Sequence, residues 1–186
     1  MALLAEGIVE EWLNRQGYFT IRGIKLGVQE IDLLAVKWRP DGSVEARHIE
    51  VQASTNPVSP ISQVPKTDQK TGRAANSAKR TPEELRNGVK EWVEKKFRRA
   101  DKKDLMTRLC QAEWTSELVL NEVRRHDEVP LIAGYGVRII WLRDIIEELL
   151  NALDGRSKQN FPIKSAGGAD LIDLIGIGKL AFAAKA

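Results

Sequence analysis

The segment from Gln29 to Ala53 constrains this chain more than any other. Residues 29–36 form an apolar run of strand character, Arg39, Pro40, Asp41 and Gly42 supply turn residues, and residues 44–53 form a second run. The expected result is a β-hairpin. Centred on Asp41, it sets residues whose numbers add to 82 opposite one another, so Asp32 faces Glu50. Strand alternation sends His48 and Gln52 to that same face, and Ile31, Leu33, Ala35, Ile49 and Val51 to the other. A turn centred half a residue later would shift every pair by one.

An acid inside an apolar strand is costly to bury unless a cation or a metal compensates it. Asp32 and Glu50 both stand in that situation, and two acids with no nitrogen or sulfur partner suit a hard ion such as Mg²⁺ or Mn²⁺. The alternative is that both lie at strand ends, in solvent or paired with Arg22 or Lys37.

The rest of the chain supplies elements around this hairpin. Leu4, Ile8, Val9, Trp12 and Leu13 recur at helical spacing and Gly17 follows them, which predicts a helix over residues 3–16. Glu6 and Glu10 lie one turn apart on that helix. A short strand is expected over residues 18–22. Residues 54–81 hold three prolines and little apolar periodicity, and read as a long, basic, flexible loop. Thr81, Pro82 and Glu84 then form a helix start with a capping box. Leu85, Val89, Trp92, Val93 and Phe97 give that helix its apolar face, and a second helical stretch is expected over 103–114. Strands are expected over 116–123, where Leu118, Val119 and Leu120 would equally suit a helix, and over 137–142, with a short helical or irregular piece over 127–133 between them. A helix over 143–153 closes the domain. Trp12, Trp92 and Trp141 read as core, while Trp38 and Trp114 read as exposed or half-buried.

Charge is distributed unevenly along the 186 residues. Lys and Arg number 6 against 8 acids in residues 1–53, 14 against 7 in 54–108, and 9 against 11 in 109–186. A basic middle third suits a polyanion, because Lys and Arg that neutralise phosphates release condensed counterions. A solvated helix face explains the same charge without a partner.

Several chemistries are excluded. One cysteine, Cys110, and two histidines, His48 and His126, leave no disulfide framework, zinc site or redox pair. The serines lack a nucleophile-elbow pattern, and Gly176 to Lys179 lacks the rest of a phosphate-binding loop. Acids at the start of the chain disfavour a signal peptide, and a cytoplasmic setting is expected.

Glu6, the Gly17-Tyr18 step eleven residues on, the Glu30-Ile31-Asp32-Leu33-Leu34-Ala35 strand and Ile49-Glu50-Val51-Gln52 together resemble the PD-(D/E)XK nuclease superfamily. They are most similar to the branch that includes archaeal Holliday junction resolvases. The resemblance covers residues 3–53. It implies an α/β fold with a restriction-endonuclease-like core, a central mixed sheet flanked by helices in αβββαβ order, spanning residues 1–155 as one domain. Residues 156–186 would form a tail whose apolar part, Leu171 to Phe182, docks as a helix on the domain or on a second subunit of a homodimer.

The function implied is metal-dependent endonucleolytic hydrolysis of DNA, branched DNA included; RNA is also compatible. Asp32, Glu50 and the Val51 carbonyl would hold Mg²⁺ or Mn²⁺, with Glu6 joining directly or through water. Gln52 stands where the family has lysine. It would orient the attacking water, with Lys90 as a candidate replacement for the missing charge. Lys66, Lys70, Arg73, Lys79, Arg80, Arg86 and Lys90 would track the nucleic-acid backbone. The alternatives are a binding or assembly module that keeps this fold without hydrolysis, and an unrelated α/β scaffold with structural acids.

Overall fold

The protein is described here by a computed structural model covering residues 2–54, 58, 60–153, 170 and 173–176. Helix α1 (Ala2–Arg15) leads into three antiparallel strands, β1 (Phe19–Leu26), β2 (Gln29–Trp38) and β3 (Val44–Gln52). A one-turn helix α2 (Lys66–Gln69), then α3 (Pro82–Phe97) and α4 (Ala100–Leu109), carry the chain across to β4 (Trp114–Leu120), which lies parallel to β3. Helix α5 (Glu128–Gly134) connects to β5 (Val137–Trp141), parallel to β4, and α6 (Leu142–Leu153) follows.

The outcome is an α/β fold around one open, mixed, five-stranded sheet in the order β1-β2-β3-β4-β5. This is the expected class and order of elements. No helix among the described residues is long and apolar enough to cross a membrane.

The hairpin has the expected register. Leu33 pairs with Ile49, Leu34 with His48 and Val36 with Ala46, all adding to 82. Gly42, at φ +82°, turns the chain in a conformation that disfavours a side chain.

Alternation then builds two faces. Leu33, Ala35, Ile49, Val51 and Val119 pack against α1 and α6 through Ile8, Val9, Leu13, Ile145 and Leu149. On the opposite face, Leu118 and Leu120 meet Val89, Val93 and Phe97 of α3 and Ile132 of α5. Leu34 and Met106 of α4 form a third cluster. Ile31 was expected beside Leu33 but packs in that third cluster.

Local boundaries differ from the sequence reading where packing overrides pattern. Strand β1 runs to Leu26 because all of it pairs with β2. Helix α4 starts at Ala100 and ends at Leu109, and Trp114 opens β4 beside Ala46. Trp12 is buried and Trp38 is 60% exposed, as expected, with Phe19 edge-on to the Trp38 ring.

The loop expected over 54–81 is the larger correction. Val58 bridges to Val123, and Ile61 and Val64 are buried. Glu128 at the start of α5 accepts hydrogen bonds from the Ile61 and Ser62 amides, 2.9 Å each, and from the Ser62 hydroxyl at 2.5 Å. Arg80 pairs with the same carboxylate at 3.2 Å, with both side chains fully buried. The segment is packed onto the domain by a buried acid. The tail interface expected over Leu171 to Phe182 falls mainly outside the described residues; within it, Ile175 packs against the α1–α6 cluster.

Candidate functional site around Asp32 and Glu50

The site forms where β2 and β3 part. Their pairing ends at Leu33 and Ile49, and one step beyond it the Asp32 carboxylate accepts the Val51 amide at 2.7 Å. That bond satisfies a backbone donor the ladder no longer uses. Glu50 stands opposite Asp32 by the same register and is fully buried.

Three side chains hold Glu50. Lys102 donates from Nζ to Oε1 at 2.7 Å, Lys96 donates to Oε2 at 2.5 Å, and His48 Nε2 lies 3.2 Å from Oε1. Lys102 also donates to the Lys96 carbonyl at 2.7 Å, so one buried ammonium ties the end of α3 to both α4 and β3. Arg22 and Lys37, the partners considered for the acids, are used elsewhere: Arg22 pairs with Glu10, and Lys37 bonds the Gln16 carbonyl.

The electrostatics separate the two acids. Burial and the neighbouring Glu50 charge push the Asp32 carboxyl up to about 6, against the opposing Val51 hydrogen bond. Burial also works against the Glu50 charge, but the His48 hydrogen bond and the two lysines outweigh it and hold that carboxyl at about 2. Burial holds the His48 ring below its usual range, which keeps it neutral at pH 7 despite Glu50. The Lys96 ammonium is held above its usual range, because the Glu50 charge overcomes the cost of burial.

Glu6 arrives from α1, in the layer on the other side of the sheet. It is buried, and burial, then the Glu30 charge, raise its carboxyl. Its field reaches Asp32 and Glu50, yet no hydrogen bond links it to either among the described residues. No group of three acid, histidine or cysteine side chains able to hold a metal ion converges among the described residues. Glu6 is thus coupled to the two acids by charge, with no hydrogen bond to either among the described residues.

The remaining donors still suit a hard ion. Mg²⁺ commonly takes only one or two protein carboxylates and fills its other positions with water and substrate phosphate. Asp32 has no ion pair among the described residues. Gln52, next along the same face of β3, has a buried Oε1 with no hydrogen-bond partner, an acceptor left unsatisfied in this structure.

The basic residues divide. Arg80 is withdrawn from any phosphate by its buried pair with Glu128, and Arg73 is paired with Glu84 at 2.8 Å. Lys66, Lys70, Lys79, Arg86 and Lys90 are exposed and carry no ion pair among the described residues. Lys90 does not approach Glu50; Lys96 and Lys102 do, and sequence reasoning missed both. A signal was present. Lys96 lies seven residues after Val89 and three after Val93, on the buried side of α3, and Lys102 lies four before Met106 on α4.

No family model matches this sequence, and no curated protein matches it. Among solved structures it is similar to a protein of unknown function, AF1548, at 13% identity and a TM-score of 0.46, covering 93% of this chain and 95% of that one.

Proposed function

We propose that the chain is a metal-dependent endonuclease that hydrolyses phosphodiester bonds in DNA, in keeping with the PD-(D/E)XK resemblance of residues 3–53. The observation that carries this reading is the contact of Lys96 with Glu50. The motif has glutamine where a lysine is expected, and a lysine from α3 reaches the same acid from across the fold. Asp32, Glu50 and the Val51 carbonyl would hold Mg²⁺ or Mn²⁺, which when bound supplies Lewis-acid polarisation of the phosphate and a more acidic water.

The chain's own residues do the rest. Asp32 keeps its carboxylate oriented through the Val51 amide. Lys102 stays buried and fixes Glu50, whereas Lys96 is 28% exposed and long enough to turn from Glu50 toward a phosphate oxygen. There its charge would stabilise the developing oxyanion. Gln52 would accept a hydrogen bond at Oε1 from the attacking water and so orient it. Lys66, Lys70, Lys79, Arg86 and Lys90 would contact the backbone without reading sequence.

The test is incubation of the purified chain with labelled four-way junction, linear duplex and RNA, with and without Mn²⁺. Cutting that requires Mn²⁺ and is lost in Asp32→Asn supports the reading. Binding without cutting in every case would favour a non-hydrolytic binding module, the second reading that Gln52 supports.

A further inference from the structure

The two oxygens of Glu50 are held in different ways. Oε1 accepts Lys102 Nζ at 2.7 Å and faces His48 Nε2 at 3.2 Å, and an ionised carboxylate only accepts, so the ring proton stands on Nε2. Both donor side chains are 1% exposed. Lys102 is fixed further by the Lys96 carbonyl at 2.7 Å, and His48 rests against Phe97 with ring centroids 4.9 Å apart. A carboxylate oxygen offers two lone pairs, so Oε1 is fully used and neither of its donors has solvent to move into.

Oε2 is the open side. Among the described residues its hydrogen bond comes from Lys96 alone, and that side chain is 28% exposed. Glu50 is itself fully buried, so solvent reaches it where Lys96 turns aside. Asp32, half-buried next to it, uses only Oδ2, for the Val51 amide. An ion that enters past Lys96 therefore meets one oxygen of Glu50 and not the pair.

That asymmetry discriminates between hard cations. Ca²⁺ takes about six to eight oxygens and accepts both oxygens of one carboxylate, whereas Mg²⁺ and Mn²⁺ favour octahedral sites built from single oxygens and water. We infer that Lys102 and His48 are positioning residues that close Oε1, so that Glu50 ligates through Oε2 alone and the site takes Mg²⁺ or Mn²⁺ in preference to Ca²⁺. This inference rests on the divalent-ion site of the hydrolytic reading, and it adds which ion that site refuses and what refuses it.

The test is calorimetric titration of the full apo chain with Mn²⁺ alone and with Ca²⁺ alone, read as the ratio of the two affinities. Lys102→Met keeps the apolar stem and removes the ammonium. Losing that charge raises the affinity for both divalent ions alike, so only a freed oxygen moves the ratio. His48→Leu changes no charge, because the ring is neutral, and it gives up one hydrogen bond, since Nδ1 has no partner. The wild type is expected to bind Mn²⁺ at least about tenfold tighter than Ca²⁺, and each variant that melts cooperatively to bring the ratio to about threefold or below through a gain in Ca²⁺ affinity. Infrared difference spectra of the wild type with isotope-labelled glutamate carboxylates give a readout that needs no variant: single-oxygen ligation of Mn²⁺ is expected.

Equal affinities in the wild type, a ratio unchanged in the folded variants, or a two-oxygen infrared signature would overturn the inference and leave the ion site standing. A wild type that takes up neither ion would remove the ion site, and the inference with it.

Discussion

Asp32 and Glu50 sit within one hairpin and are driven in opposite directions, and this has consequences for stability. Asp32 holds its proton more tightly in the folded chain than in the unfolded one, so its stabilising effect is full below about pH 4 and is lost as pH rises through about 6. At neutral pH its ionised form works against folding by roughly 3 kcal/mol. Glu50 has the reverse sign: its contribution is present above its usual range and is lost as pH falls toward about 2. Asp32→Asn keeps an acceptor for the Val51 amide and removes the charge. It is expected to melt about 5 °C above the wild type at pH 7.5, with the difference shrinking toward pH 4. A variant that melts lower at pH 7.5 would mean that the charge is already compensated. The two lysines separate in the same way. Lys102→Ala leaves a fully buried carboxylate without its inner partner and is expected to cost about 3 kcal/mol in urea unfolding. Lys96→Ala is expected to cost about 1 kcal/mol or less and to lower cleavage roughly a hundredfold. Equal stability losses would argue that Lys96 is structural.

Helix α3 carries both the legible and the hidden parts of this account. Its start could be read in sequence because a capping box is local: Thr81 Oγ1 accepts the Glu84 amide and the Glu84 carboxylate accepts the Thr81 amide. The hairpin register was legible for the same reason, set by a turn and an alternation within about twenty-five residues. What α3 leans on was not legible. Gly88 is buried mid-helix, and a Cβ there would run into the Gln63 carbonyl. Glycine within a helix normally gives way to alanine with a gain of up to about 1 kcal/mol. Gly88→Ala is instead expected to destabilise by about 2 kcal/mol, because α3 must move off the 61–64 segment. Thermal melts check this, and an unchanged or raised midpoint would show that the segment yields. Glu128 was unreadable for a similar reason. Nothing near it in sequence announces that it will be enclosed by Ile61, Ser62 and Arg80, residues more than forty positions away. A proline-bearing basic stretch therefore looked like a free loop.

Taken as a whole, the molecule gathers its chemistry where an antiparallel hairpin meets a parallel sheet, with β3 belonging to both. The acids were legible because an aspartate and a glutamate in apolar strands stand out against their neighbours. The cations that answer them were not, because Lys96 and Lys102 come from helices that reach β3 only after the crossover folds, and in sequence they resemble the surface lysines beside them. Helix spacing placed Glu6 on a face of α1, and the fold couples that carboxylate to Asp32 and Glu50 by charge. The central claim is that Asp32 and Glu50 form a divalent-ion site in which Lys96 yields its hold on Glu50. Calorimetric titration of the apo chain with Mn²⁺ at pH 7.5 tests it most directly. Saturable binding is expected in the wild type, and its loss in Asp32→Asn and in Glu50→Gln. A wild type that takes up no Mn²⁺, or variants that bind it equally well, would contradict it.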